Sequence, residues 1–219
     1  MIKIDLHSHS SASKDGGISL EQYKKILNSG TIDVIAITDH DRIDFAQNAQ
    51  NVLGSENIIV GQEVTTIDGD ILGLYLKNPI SAGLTAKAAA DEIHKQGGLV
   101  CVPHPFETFR KGISTESLDK LVGSVDIVEG YNGRAVFQNF SNQALEWASV
   151  NSKLTVANSD AHGYKGVGRT YSVVEVPPTD PKSLLNSLSN AKLVSNKPPL
   201  ITLTYPSINM IIKKLRRVK

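Results

Sequence analysis

The chain of 219 residues has one Cys, one Trp and two Met, and its aromatic residues amount to 5%. A single Cys excludes an internal disulfide framework and any thiolate-rich zinc site. It also suits a reducing compartment. Charge of either sign is not in excess: 23 Lys and Arg stand against 22 Asp and Glu, so no global field draws the chain to nucleic acid or to an acidic membrane. No apolar run approaches the ~20 residues that a bilayer-spanning helix needs. The opening "MIKIDLH" lacks the basic and apolar regions of a signal peptide. The expectation is a soluble, cytoplasmic protein without a membrane partner. Linkers, low-complexity stretches and fixed-period repeats are absent too, so residues 1–219 read as a single domain.

What is present is an alternation. "MIKIDL", "DVIAIT", "NIIVG", "LVCVP", "VDIVEG" and "KLTVAN" are short, apolar and rich in β-branched residues, the signature of strands buried on both faces. "TYSVVEV" and "KLVS" add two more strands, and "EVTTIDGDILGLYL" predicts a hairpin turning at Asp68 and Gly69. Between them lie helical patterns. Ser19 and Gln22 form a capping box ahead of Leu20, Tyr23, Ile26 and Leu27. Further helices are expected over 44–52, in "TAKAAADEIHKQGG", over 115–121, and over 134–150 with Val136, Phe137, Phe140, Ala144 and Leu145 on one face. Asp180 and Pro181 start a helix carrying Leu184, Leu185 and Leu188. A tail over about 206–219 places Ile208, Ile211, Ile212 and Leu215 on one side of an amphipathic helix with a solvated basic face. The β-then-α order predicts an α/β fold with a parallel sheet and helices outside; about seven such units fit, near the size of a barrel.

The scarce histidines do not scatter. His7 and His9 follow the first strand; Asp39, His40 and Asp41 the second; Glu63 the third; His104 follows "LVCVP"; Glu129 and Asn132 follow "VDIV"; Asp160 and His162 follow "LTVAN". Five of the six histidines belong to this set; His94, inside a helical pattern, reads as an exposed surface residue. In a β/α barrel the C-terminal strand ends share one mouth, so these side chains converge. His7 and His9, two apart on extended backbone, point to the same face, and Asp160 and His162 repeat the spacing. Imidazole and carboxylate without thiolate suit Zn²⁺, Mn²⁺ or Fe²⁺. The donors are too many for one tetrahedral ion and imply a cluster. Cys101 and Trp147 read as core.

"DLHSHSSASKDG", "AITDHD", "GQE", "PHP", "VEGYN" and "NSDAH" occur in the order of the motifs of the PHP family, the polymerase and histidinol phosphatase domain, which this sequence resembles from Asp5 to about Arg169. The resemblance implies a distorted seven-stranded β/α barrel whose mouth holds two or three divalent ions and hydrolyses phosphoesters. It implies His7, His9, Glu63 and Asp160 as ligands of one ion; Asp15, His40 and His162 as a second set; and Glu63 with His104 as the start of a third. Family members with a complete third site carry a His near "VEGYN", where this chain has Asn132 or Glu129 to complete it.

The expected activity is metal-dependent hydrolysis of a small-molecule phosphoester by a metal-bridging hydroxide. Asp15 or His162 would protonate the leaving group, and Arg134, Arg169 and Asn132 would bind substrate. Arg169 draws attention because it follows the glycines of "KGVGR". Two alternatives are a nuclease acting on nucleic-acid ends, with the basic tail as a backbone track, and a non-catalytic metal-binding scaffold. Substrate choice is expected in the loops "PFETFRKGIS" and "GRAVFQ".

Overall fold

Short apolar runs punctuated by Gly, Asp and Asn form nine strands. In the computed structural model, which describes residues 1–136 and 138–217, they are β1 (Ile2–Asp5), β2 (Val34–Ile37), β3 (Ile58–Thr65), β4 (Asp70–Leu74), β5 (Leu99–Val102), β6 (Ile127–Asn132), β7 (Leu154–Asn158), β8 (Thr170–Val174) and β9 (Lys192–Ser195). The helices are α1 (Leu20–Asn28), α2 (Asp44–Leu53), α3 (Ala86–Lys95), α4 (Thr115–Leu121), α5 (Ser141–Val150), α6 (Pro181–Leu188) and α7 (Tyr205–Arg217). The predicted caps hold. Ser19 Oγ accepts from Gln22 N while Gln22 Oε1 accepts from Ser19 N, and Asp180 caps α6 ahead of Pro181.

All nine strands belong to one sheet in the order β7-β6-β5-β4-β3-β2-β1-β8-β9. β1, β2 and β3 pair in parallel, as do β5, β6 and β7; β4 runs against both its neighbours, and β8 runs against β1. The sheet curls into a nearly closed barrel. β7 returns to β8 through an Ala157 N–H to Ser172 Oγ bond of 2.9 Å, and to β1 through a Leu6 N–H to Asn158 Oδ1 bond of 2.9 Å. The α/β barrel class is as expected; the strands number nine rather than seven, because a reversed strand and an antiparallel pair are spliced into the parallel frame.

Side-chain alternation sorts each strand into two layers. Ile4, Val34, Ala36, Ile59, Leu72, Leu74, Leu99, Cys101, Ile127 and Val156 fill the barrel interior. Ile35, Ile37, Ile58, Val60, Val100 and Val128 face outward against Tyr23, Ile26, Ala46, Ala49, Ala90 and Ile93 of the helices. Cys101 is a core residue as expected, fully buried.

Two expectations fail locally. The predicted helix over 134–150 is confined to Ser141–Val150. Upstream, Gly133 N–H donates to Asn158 O, and Arg134 N–H is captured by the Asn132 side chain, so the backbone turns instead of coiling. Phe137 lies outside the described residues, as do residues 218 and 219 of the predicted tail. In α7 the faces are reversed: Ile208, Ile211, Ile212 and Leu215 are 41–65% exposed, while Pro206, Asn209 and Lys213 pack toward the barrel. Among the described residues no helix is long and apolar enough to cross a membrane.

Candidate metal centre

The C-terminal ends of β1, β2, β3, β5, β6 and β7 form one rim, and the chain there is tied to itself with its donors turned inward. Ser8 Oγ bonds Ala36 O at 2.7 Å, and Ser10 bonds both oxygens of Asp39, so the serines of "HSHS" lock the β1 exit to the β2 exit. His7 and His9, on the opposite parity, face the barrel axis and are fully buried. Glu63 lies within β3; its N–H donates to Thr38 O and Asp39 O, and its carbonyl accepts from Asp41 N. Asp41, His104 and Asp160 take left-handed φ values of 57°, 27° and 49°. Such backbone costs about 1–3 kcal/mol per residue and concentrates where a site demands it.

The donors converge as the spacing predicts. His7 Nε2 and His9 Nε2 are 3.1 Å apart. Each faces Glu63 Oε2, at 3.4 and 3.2 Å, and Asp160 Oδ1, at 3.5 and 3.4 Å. Beside them, Asp15 Oδ2 lies 3.4 Å from His40 Nε2 and 3.2 Å from His162 Nε2. Glu63 spans the cluster, with its other oxygen 3.2 Å from His104 Nε2. The residues that the resemblance implies for the first two ions therefore lie together at the rim.

Burial works against charge on His9, yet hydrogen bonds to Asp160 and Glu63 overcome it and push its pKa up to about 9. His7 rises for the same reason, with burial outweighed by Asp160, Glu63 and Glu129. Burial would raise Glu63 and Asp160, but His40 and His7 around the first, and His7 and Arg134 around the second, hold both well below the usual carboxylate range. Asp15 is also held low, its bonds to His162 and His40 prevailing over burial. Burial, then His9 and Arg134, push His162 down to about 4. Two imidazole nitrogens facing each other across ionised carboxylates would be satisfied by a divalent cation held by His7, His9, Glu63 and Asp160, without protonating any ligand. The donor set fits the metals that the sequence implies.

Two expected roles change. Glu129 is not free to bind a metal. Its Oε1 accepts from His7 Nδ1 at 3.1 Å and Asn158 Nδ2 at 2.9 Å, and its Oε2 accepts from His104 N and Asn132 Nδ2, both at 2.7 Å. With both oxygens committed, Glu129 stands behind His7 and sets the tautomer and tilt of that ring. Asn132 is equally occupied: its oxygen accepts from Arg110 Nη1 at 2.7 Å and from Arg134 N at 2.8 Å, so it offers nothing to a substrate or an ion.

The arginines also divide. Arg134 reaches the mouth, with Nη1 3.5 Å from Asp160 Oδ2 and 3.4 Å from His162 Nδ1. Arg169 does not reach it. That residue is exposed, and Gly168 before it, at φ 79°, is pressed against Thr31 in the α1–β2 connection. The glycines serve this turn, and no side-chain bond links Arg169 to the cluster among the described residues. His94, half exposed, pairs with Asp126 at 2.8 Å and is remote from the centre's ligands.

Sequence reading missed four participants. Arg110, from the "PFETFRKGIS" loop, joins Asp160 Oδ2 at 2.5 Å and Glu107 at 2.5 Å. Asp70, the first residue of β4, is buried at the rim, where burial and then the charge of Glu63 push its carboxyl up to about 7. From α7, Asn209 Nδ2 bridges the carbonyls of Asp15 and His162 at 2.8 and 2.9 Å, and Lys213 binds Ser13 O and Gly16 O. Above the cluster opens a cavity of about 270 Å³ whose walls include His40, Arg110, Lys111, Arg134, Phe109 and Met210.

Comparison with known proteins places this geometry. Residues 139–193 match the family model described as PHP-associated. A protein of Methanocaldococcus jannaschii, itself uncharacterised, is 31% identical over 201 residues, covering 85% of this chain and 79% of its own. Among solved structures, a two-domain protein of Bacteroides vulgatus, containing a predicted PHP-like metal-dependent phosphoesterase, superposes with a TM-score of 0.70 at 21% identity over 89% of this chain; the chain spans 65% of that protein's length. The lesion-specific endonuclease Q of Pyrococcus furiosus superposes with a TM-score of 0.66 at 15% identity, over 88% of this chain and 57% of its own. At these identities the two structures share its fold.

Proposed function

The chain belongs to the PHP family, and from that premise we propose that its rim cluster binds divalent metal ions and hydrolyses phosphoesters. The observation that carries the reading is the packing of four histidines and three carboxylates, His7, His9, His40, His162, Asp15, Glu63 and Asp160, into contacts of 3.1–3.5 Å at the end of a barrel that has an apolar core layer beneath them. His7, His9, Glu63 and Asp160 hold one ion; Asp15, His40 and His162 hold the second. The ions are Zn²⁺, Mn²⁺ or Fe²⁺ on the chemistry of the donors. Divalent ions bound there would lower the pKa of water toward neutrality and offset the negative charge of a phosphoryl group.

The chain's own residues do the rest. Glu129 fixes His7 through Nδ1, and Arg110 holds one oxygen of Asp160 so that the other faces His7 and His9. Arg134 carries a guanidinium into the mouth, where it can grip non-bridging phosphoryl oxygens. Asp15 and His162 stand at the outer edge as ligands rather than as the proton donors expected from the sequence, because Asp15, against its burial, is held ionised by His162 and His40, and the leaving oxygen takes its proton from water in the open mouth. A small-molecule phosphoester is the substrate that this reading favours, in a reducing cytoplasm. Nucleic-acid ends are the second reading, favoured by Lys14 and Lys111 at the mouth and by Phe109, 81% exposed beside them and free to stack on a base.

The test is release of phosphate from sugar phosphates, nucleotides, histidinol phosphate and short oligonucleotides, by metal-stripped protein and by protein reloaded with Mn²⁺, Zn²⁺ or Fe²⁺. Activity should vanish on chelation and return with metal. Full activity in metal-free protein would overturn the proposal, and cleavage confined to oligonucleotides would select the nuclease reading.

A further inference from the structure

The ligand sets described above leave one side of the cluster short of an oxygen. Glu63 turns Oε1 toward His104 Nε2 at 3.2 Å, and His40 Nδ1 lies 3.4 Å from Glu63 Oε2. Glu129 and Asn132, the residues expected to complete this side, spend their oxygens on protein donors. Asp70 does not. It pairs with Thr65 across the β3–β4 hairpin, and β4 is the strand whose first residue, rather than its last, lies at the rim. By parity with Leu72 and Leu74 its side chain points into the barrel.

Asp70 is 4% exposed, and its N–H donates to Lys111 O. Its Oδ1 is sealed from solvent and has no hydrogen-bond partner. Among the described residues no Lys, Arg or His forms an ion pair with it. An isolated carboxylate is costly to bury, and such groups are found paired or on a metal. Asp70, Glu63 and His40 each bring one ligand atom within 4.8 Å of the other two.

We propose that Asp70 is a metal ligand: with Glu63 and His40, whose ligand atoms meet its own, it forms a third cation position at the β3–β4 corner of the rim, His40 turning Nδ1 here and Nε2 to the second ion as a bridging imidazolate. Asp70 supplies the oxygen that Glu129 and Asn132 withhold. The inference rests on the metal-binding part of the proposal above and is independent of hydrolysis. Carboxylate oxygens with imidazole nitrogen accept Mn²⁺, Zn²⁺ or Fe²⁺.

The test counts metal. Full-length wild type, Asp70→Asn and Asp70→Ala are stripped, reloaded with excess Mn²⁺, desalted and measured for metal per chain by plasma mass spectrometry. Titration calorimetry with Mn²⁺ follows, and circular dichroism checks the fold. Asp70→Asn keeps the shape of the side chain and should bind one equivalent fewer than wild type, losing one calorimetric phase and keeping the others. Asp70→Ala should do the same. An Asp70→Asn protein with the wild-type count and the wild-type phases overturns the inference and leaves the functional proposal standing. A wild type that retains no metal overturns both.

Discussion

The lower barrel and its rim are built on the same strands and are nearly equally dry, yet they are held together differently. Below, Ile59, Leu72, Leu74, Ile127 and Val156 interdigitate with no polar partner to satisfy. Above, the same inward positions continue as Glu63, Asp70 and Glu129, joined by His7, His9 and Asp160, all 4% exposed or less. An apolar layer stabilises by being removed from water, whatever occupies the mouth. A polar layer at the same depth is stable only when each donor and acceptor is paired. Arginine and backbone pair part of the rim; the face toward the axis is the part that the proposed cations would satisfy.

The sharpest way to break that comparison is one substitution in each layer. His9→Ala should remove metal and lower hydrolysis by roughly a thousandfold or more. Leu72→Ala, fully buried in the lower layer, should instead cost about 2–5 kcal/mol of stability and leave the metal count unchanged. Metal analysis and denaturant unfolding on both variants check this, and metal loss from Leu72→Ala would show that the layers are not separable.

A smaller effect is expected at the mouth. Arg134→Ala should lower kcat/KM by roughly ten- to a thousandfold, ~1.4–4 kcal/mol of transition-state binding, with bound metal unchanged. Arg169→Ala should leave kcat/KM at the wild-type value, because that residue is exposed and makes no side-chain bond to the cluster among the described residues. A loss in Arg169→Ala equal to that in Arg134→Ala would return Arg169 to the site.

Smaller still is the contribution of α7. Asn209 ties the backbone of Asp15 to that of His162, so Asn209→Ala should weaken metal binding about tenfold, the scale of lost outer-shell support. Competition against a fluorescent chelator measures it. The smallest effect belongs to His94→Ala, which removes a half-exposed pair with Asp126. It should change stability by ~1 kcal/mol or less and leave metal and activity untouched; a change in either would mean that the helical layer is coupled to the rim.

Much of this was legible in the chain because the relevant signals are local. An apolar run ends where its strand ends, so the polar residue that follows is a rim residue, and this placed His7, His9, His40, His104, Asp160 and His162 before any coordinates. Period two put His7 and His9 on one face, and Ser19 and Asp180 announced their helices because a cap is satisfied within four residues. Where a local signal was copied by something else, reading failed: Val136 and Phe140 keep helical spacing, but the Asn132 side chain takes the N–H of Arg134 and turns the chain first.

What only the tertiary structure decided are the choices between partners distant in sequence. Glu129 and Glu63 are both acids associated with rim strands, and nothing local says that one spends its oxygens on His7, His104, Asn132 and Asn158 while the other faces the axis. Asp70 follows a turn glycine and reads as part of a hairpin; its place at the rim follows from β4 running backwards between β3 and β5, which is a property of the sheet. Arg110 meets Asp160 across 50 residues and Asn209 meets Asp15 across 194. The alternation of apolar runs with helical patterns determined the barrel and its reactive end, because burial acts on each strand by itself. Which oxygen is left for a metal was settled by the folded chain, because a hydrogen bond belongs to two residues and the second is supplied by topology.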